Sequence, residues 1–364
     1  MKIKDVLSHL EQWAPLSYQE SYDNAGLIIG DRDQELIGAS ITLDVTEAVI
    51  DEAIEKGYNL VIAHHPLIFK GLKKIGNQHW LERCVTKAIK NDIAIYAIHT
   101  NLDNVHTGVN WKIAEKVGLE DHRILSPKEG RLKKIIAFIP VEDTETVLNA
   151  MYAAGAGQIG DYDQCSFRVT GTGSFRPGST ANPAIGKRNT QEHVQENRIE
   201  LIFPDHLSGK VLTALKNAHR YEEVAYYLQS LDNANQEVGS GMIGKLPEAM
   251  EPHQFLDHLK KSMNLRVVKH TSFTKKKVQK IAVCGGAGIF LLKDAIRQGA
   301  DAFITGDVKH HDFFEANEQT VIVDIGHYES EVFTKELIYD ELNKKLTNIA
   351  LHLSDVNTNP IHYY

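Results

Sequence analysis

The sequence holds only three cysteines in 364 residues, Cys84, Cys165 and Cys284, far apart and without a CxxC pair. That excludes a disulfide framework and a thiolate zinc knuckle, suits a reducing compartment, and leaves any metal chemistry to nitrogen and oxygen ligands. No apolar run approaches the ~20 residues of a spanning helix, and residues 1–15 read as an amphipathic helix instead of a signal peptide. An excess of positive charge is also missing. The 40 Lys+Arg stand against 48 Asp+Glu, a net charge of −8, so no general attraction to nucleic acid or anionic lipid is expected. These absences point to a cytoplasmic protein that meets neither a membrane nor nucleic acid. What is present, 42% apolar and 24% charged residues, argues for a globular fold over a disordered one. At ~150 residues per domain the length predicts two or three domains.

Ile3, Val6, Leu7, Leu10 and Trp13 recur at three- and four-residue spacing, which predicts an opening helix with one buried stripe. Asp23-Asn24-Ala25-Gly26 then breaks the pattern. From residue 40 short apolar runs (41–43, 60–63, 93–98) alternate with helical patterns (46–56, 80–90), the signature of βαβ units around a parallel sheet buried on both faces. The rhythm returns late: strands at 281–283, 302–304, 321–323 and 349–353, helices at 289–298 and 329–346. The middle reads differently, as strand 134–139, helix 144–153, strand 166–170, a Gly/Pro/Ser-rich loop 171–186, strand 199–203, helix 207–218 and strand 224–228. One β-α-β unit on each side of a long loop outlines a split-βαβ, ferredoxin-like α+β domain. The expected architecture is an α/β domain built from residues 1–125 and 240–364, interrupted by an insert over 126–239.

Three short segments carry chemistry, each placed just after a predicted strand, where α/β sheets gather their ligands. The first is Val61-Ile62-Ala63-His64-His65-Pro66. Pro66 keeps His65 extended, so the two rings diverge and suit two neighbouring ions better than a chelate of one. The second is Ile98-His99-Thr100-Asn101-Leu102-Asp103, where Asp103 offers an oxygen ligand and His99 a proton shuttle or an orienting group. The third runs from Asp324 to Glu331; His327 and Glu331, four apart on a helix, share one face. Each has a plain alternative: a strand cap, an Asx-turn loop, a surface pair. Their common position is the stronger signal. Three histidines and two carboxylates form a mixed N/O set that favours Zn, Fe(II), Mn or Co over Ca or Mg. Five side chains leave open positions for water on two ions, so hydrolysis is the natural chemistry.

Asp23-Asn24-Ala25-Gly26-Leu27, Leu43-Asp44-Val45-Thr46, His64-His65-Pro66, His99-Thr100-Asn101-Leu102-Asp103, Thr305-Gly306-Asp307 and Gly326-His327 with Glu331 resemble, in order, the motifs of the Nif-three-like dinuclear-metal proteins, also called the type 2 GTP cyclohydrolase I family. Gly155 to Gly160, Tyr162-Asp163, Cys165-Ser166-Phe167 and Gly173-Ser174-Phe175-Arg176-Pro177 resemble the insert of the long bacterial members, which is similar to the PII and CutA fold. The resemblance implies that His64, His65, Asp103, His327 and Glu331 hold two divalent ions per subunit, with Glu331 bridging. It also implies a ring-shaped homohexamer with the sites facing an inner cavity. The implied reaction is hydrolytic opening of GTP, with metal-held hydroxide attacking purine C8, formate leaving, and His99 and His311 as proton-transfer groups. A dimetal phosphoesterase, or a metal-holding scaffold whose insert senses an effector, are the alternatives. His310 and His106 depart from the family pattern and are candidates for extra ligands.

Other motifs point elsewhere. Gly155-Ala156-Gly157-Gln158-Ile159-Gly160 matches GxGxxG but follows a helix and precedes a strand, the reverse of a dinucleotide fingerprint, and reads as a turn. Cys284-Gly285-Gly286-Ala287-Gly288 has strand-to-helix context, so its amides are candidates for holding a phosphate or carboxylate, or form a tight turn beside the metal cavity. Cys284 reads as a packed small residue, His311-Asp312 as an accidental match to HD-type phosphohydrolases, and 274–277 as a solvated basic turn.

Overall fold

The computed structural model describes residues 1–273 and 275–364; Thr274 of the expected basic turn lies outside them. The chain divides into two compact units, Met1–Pro127 with Glu237–Tyr364, and Lys128–Gln236.

The first unit is mixed α/β with two sheets where one parallel sheet was expected. One runs in the order Gly26–Ile29, Ala94–Ala97, Leu60–Ala63, Ala39–Thr42, Leu351–Leu353. The other runs Lys269–His270, Val321–Asp324, Ala302–Thr305, Val278–Val283, Asn235–Met250, Glu120–Lys128. Inner strands are parallel, but Gly26–Ile29 and Lys269–His270 join antiparallel edges, as does Asn235–Met250 against Val278–Val283. Gly26, read as a break, begins one of these edges. Alternate side chains of the inner strands enter different cores: Leu60 and Ile62 join the large cluster with Ile281, Ile304 and Val323, while Val61 and Ala63 pack with Val49, Ile50 and Val85. Burial on both faces explains their unbroken apolar sequence.

Trp80–Lys90 matches its predicted span, and the opening helix Ile3–Trp13 buries Ile3, Val6, Leu7 and Leu10. The long helix expected over 329–346 is two pieces, His327–Glu331 and Thr334–Lys345. Within the first, the Ser330 hydroxyl donates to the His327 carbonyl at 2.7 Å and accepts from Gly286 N at 2.9 Å. A serine bonded back to its own turn bends a helix, and this one is also tied to a neighbouring loop. The helix expected over 289–298 likewise opens with a tighter turn, Ile289–Leu291, before Leu292–Arg297.

The second unit has four antiparallel strands in the order Phe167–Phe175, Glu192–Pro204, Leu132–Pro140, Tyr226–Leu231. Its first and third strands are central, the split-βαβ arrangement. Helices Thr144–Ala153 and Ser208–Ala218 cover one face, where Val147, Met151, Val211 and Leu215 pack on Ile135, Ala137, Ile199 and Leu201. The glycine-rich stretch read as loop from Gly171 is strand as far as Phe175, because its backbone pairs with residues 192–196.

Candidate metal centre

His64 and His65 directly follow the strand Leu60–Ala63, donating backbone N–H groups to Thr42 O at 3.2 Å and Leu43 O at 3.0 Å. The chain bends at both histidines instead of staying extended before Pro66, and the two ring planes lie 45° from each other with centroids 4.9 Å apart. His99 follows Ala94–Ala97, and Asp103 closes a single helical turn, Thr100–Asp103, in place of the alternative Asx-turn loop. On the other sheet, Gly326 takes φ +94°, where a side chain would be strained, and His327 opens the helix that carries Glu331 one turn on.

These elements bring His64, His65, Asp103, His327 and Glu331 together, and the Glu331 carboxylate divides them. Its Oε2 lies 3.0 Å from His65 Nε2 and 3.1 Å from His327 Nε2. Its Oε1 lies 3.9 Å from His64 Nε2, which is 3.6 Å from Asp103 Oδ1. The result is two groups of three ligand atoms sharing one buried carboxylate. His64 Nε2 and Asp103 Oδ1 are buried without a hydrogen-bond partner, and His65 Nε2 faces His327 Nε2 at 3.3 Å. Buried polar atoms rarely stay unpaired, and these groups are able to hold divalent metal.

The far side of each ring supports that reading. His64 Nδ1 meets Ile98 O at 2.8 Å, His65 Nδ1 meets Asp44 Oδ1 at 2.7 Å, and His327 Nδ1 meets Asp307 Oδ2 at 2.7 Å. In each case Nδ1 donates, which turns the Nε2 lone pair inward, the usual support of a metal-bound imidazole. His99 is held in the same way, Nδ1 to Asp23 Oδ1 at 2.7 Å. Sequence reading gave Asp44, Asp307 and Asp23 no role. The available signal was their place in the motifs of the family resemblance, with Asp44 also directly after a predicted strand.

A family profile described as Duf34/NIF3 (NGG1p interacting factor 3) matches residues 1–360. The chain belongs to the Duf34/NIF3 family. Among curated relatives, proteins named GTP cyclohydrolase 1 type 2 homolog are 38% identical in Halalkalibacterium halodurans, over 98% of both chains, and 37% identical in Bacillus subtilis, over 99% of this chain and 98% of that one. A crystal structure of a Bacillus cereus protein related to NIF3 matches at 38% identity and TM-score 0.89, covering 100% of this chain and 99% of that one.

Burial governs the charges of this NIF3 centre. Asp103 is raised well above the usual carboxylate range, by burial first and then by the charge of Glu331. Burial would raise Glu331 too, but His327, His64 and His65 outweigh it and hold it well below its ordinary value. His64 is lowered by burial; His65 is pushed up to about 10 and His327 to about 9, because carboxylate partners overcome desolvation.

The cluster opens on a cavity of about 570 Å³ walled by Tyr22, Phe69, Phe290 and Tyr328. His99 lines it. His311 does not: it is exposed, packed beside His310 and Phe314, and neither His310 nor His106 lines the cavity. The turn from Cys284 to Gly288 does border it, and three of its glycine amides are already used. Gly285 N donates to Asn110, Gly286 N to Ser330 and Gly288 N to Thr305, bonds that hold the tight turn. Cys284 is buried, and burial pushes its thiol up, away from reactivity.

Proposed function

We propose that this protein is a divalent-metal-dependent hydrolase acting on a small nitrogen heterocycle, in the manner of a type 2 GTP cyclohydrolase I. The observation that carries the reading is the split of donors across the two oxygens of Glu331. In this assignment His64, Asp103 and Glu331 Oε1 hold one ion, and His65, His327 and Glu331 Oε2 the other. The mixed N/O donor set suits Zn, Fe(II), Mn or Co. A bound metal pair supplies acidified water as a nucleophile at neutral pH. His99 moves the proton: Asp23, held down to about 2 by its bonds to His99 and Thr100 against the pull of burial, stays anionic and fixes Nδ1–H. That leaves Nε2 of His99 free to exchange a proton at the cavity wall. Tyr22, Phe69 and Phe290 favour a planar ring over an aliphatic substrate.

The relatives' names point to GTP. Among the described residues no lysine or arginine lines the cavity, so this chain offers the triphosphate no cationic side chain there. The test therefore compares GTP with guanosine, following formate and the loss of purine absorbance with metal-replete protein. Formate release abolished by His65→Ala supports ring opening; phosphate release with an intact purine supports the phosphoesterase alternative. Silence with both, in protein that still holds metal, refutes the hydrolytic reading and leaves the scaffold.

The finer assignments complete the proposal. Residues 1–125 and 240–364 form the metal-binding NIF3 domain, and 126–239 a PII/CutA-like insert, supported by the strand order of that unit. The assembly is a homohexamer, checked by light scattering. No described helix is long and apolar enough to cross a membrane, and three free thiols suit the cytoplasm.

A further inference from the structure

The unit Lys128–Gln236 has a cavity of its own, about 500 Å³, which the proposed reaction leaves unused. It lies between the helix-free face of the sheet and residues 176–185. Glu196 projects into it. In the strand Glu192–Pro204, Asn197, Ile199 and Leu201 turn to the helices, and Glu196 takes the opposite face. Glycine at 173 on the neighbouring strand makes room, since a Cβ there would collide with the Glu196 carboxylate.

Glu196 is only 8% exposed, and among the described residues no lysine, arginine or histidine forms an ion pair with it. A carboxylate buried this deeply is costly unless a cation or several donors meet it. Arg198, two residues on, is committed to Glu200 at 2.8 Å. The Tyr221 hydroxyl is buried beside Glu196, and burial, then the charge of Glu196 and its hydrogen bond, pushes that phenol up to about 12. Around this polar floor stand aromatic rings, Phe138 against Tyr227 at 5.8 Å and Phe175 against Tyr221 at 5.7 Å. Glu222 and Glu223 also line the cavity, so three carboxylates face one guanidinium, Arg176. Anions are repelled, and a neutral apolar molecule would leave Glu196 unpaired.

We propose that this cavity binds a small organic cation, with Glu196 as its counter-ion and Phe138, Phe175 and Tyr227 as its aromatic cage. Aromatic rings attract a cation through their quadrupoles, and a buried carboxylate adds the charge that selects it over a neutral molecule of the same shape. The volume is that of a small-ligand site. Nothing in the proposal depends on the metal centre, so it stands or falls separately from the hydrolytic reading.

The test is calorimetric titration of the full-length protein with choline and with putrescine, against the neutral choline isostere 3,3-dimethyl-1-butanol. At least one cation should bind, and the isostere at least about tenfold more weakly than choline if choline is the one bound. Glu196→Gln preserves shape and removes charge, and should weaken the bound cation by about tenfold or more with an undiminished thermal midpoint. Tyr227→Ala, at an exposed position where the fold tolerates truncation, should weaken it by about three- to tenfold. Choline alone identifies a quaternary ammonium site, and putrescine alone a primary amine site; either supports the proposal. It is overturned if neither cation binds, if the isostere binds as well as choline, or if Glu196→Gln, still folded, binds as tightly as the native protein.

Discussion

A carboxylate as deeply buried as Glu331 is normally protonated or paired, and here three imidazoles hold it well below its ordinary value, while burial and the charge of Glu331 raise Asp103. The geometry depends on rings that cannot rotate, which gives Asp44 its importance. Its 2.7 Å contact to His65 Nδ1 sets both tautomer and ring plane. Asp44→Asn should therefore lower metal affinity by about 10–100-fold with the fold intact. Competition against a chromophoric chelator measures it, and unchanged affinity would show that His65 needs no such support. Asp301 offers a residue-scale test away from the centre. Burial would raise its carboxyl, but Lys275 Nζ at 2.6 Å and the amides of Lys280 and Gln279 at 2.8 and 3.0 Å outweigh it and hold it lowered. A folded value below the unfolded one, about 3.9, stabilises the protein above that pH and loses the gain as pH falls through the folded value. Asp301→Asn should thus lower stability at neutral pH and flatten the acid limb of a denaturation-midpoint profile; a parallel acid limb in the variant would remove Asp301 from the account.

The centre is made where strand ends meet, and Gly306 controls one of those meetings. A Cβ at 306 would stand 2.8 Å from His327 N and 2.9 Å from Gly326 C and O, all backbone that cannot swing aside. Gly306→Ala should cost about 1–3 kcal/mol and separate Asp307 from His327, lowering metal content. Chemical denaturation with metal analysis checks both, and full occupancy in the variant would mean the approach is not needed. Strand ends were also where sequence reading worked. Runs such as Leu60-Val61-Ile62-Ala63 are apolar because both faces are buried, so their ends, and His64, His65 and His327 beyond them, were visible from pattern alone. Edge strands were harder to see: Glu120–Lys128 is only partly buried and has no continuous apolar run, and in Gly26–Ile29 the run Leu27-Ile28-Ile29 is short and follows the glycine that reads as a break. The bend between Glu331 and Thr334 was invisible because Ser330 acts through a loop more than forty residues away in sequence. His311 is not brought to the cavity. Its proton-transfer role was implied by the family resemblance, and the helical turns His310–Ala316 leave it exposed.

At the scale of the molecule, every proposed metal ligand lies in one compact unit, and every residue of the proposed cation cavity in the other. A ligand that binds only the folded state stabilises the unit that holds it, by about 2.7 kcal/mol per site at a hundred times Kd. Calorimetry of the full-length protein should therefore resolve two transitions that answer to different ligands. Removing metal with a chelator should lower one midpoint by several degrees and leave the other in place, because only one core loses bound ions. A saturating organic cation should raise only the transition that chelation spared. His65→Ala should abolish the chelator's effect without touching the second transition, since that histidine anchors one of the two donor groups. A single transition moving as a whole under either ligand would mean that the units unfold together, and a midpoint indifferent to chelation in metal-loaded protein would remove the metal from the folding free energy of the first unit.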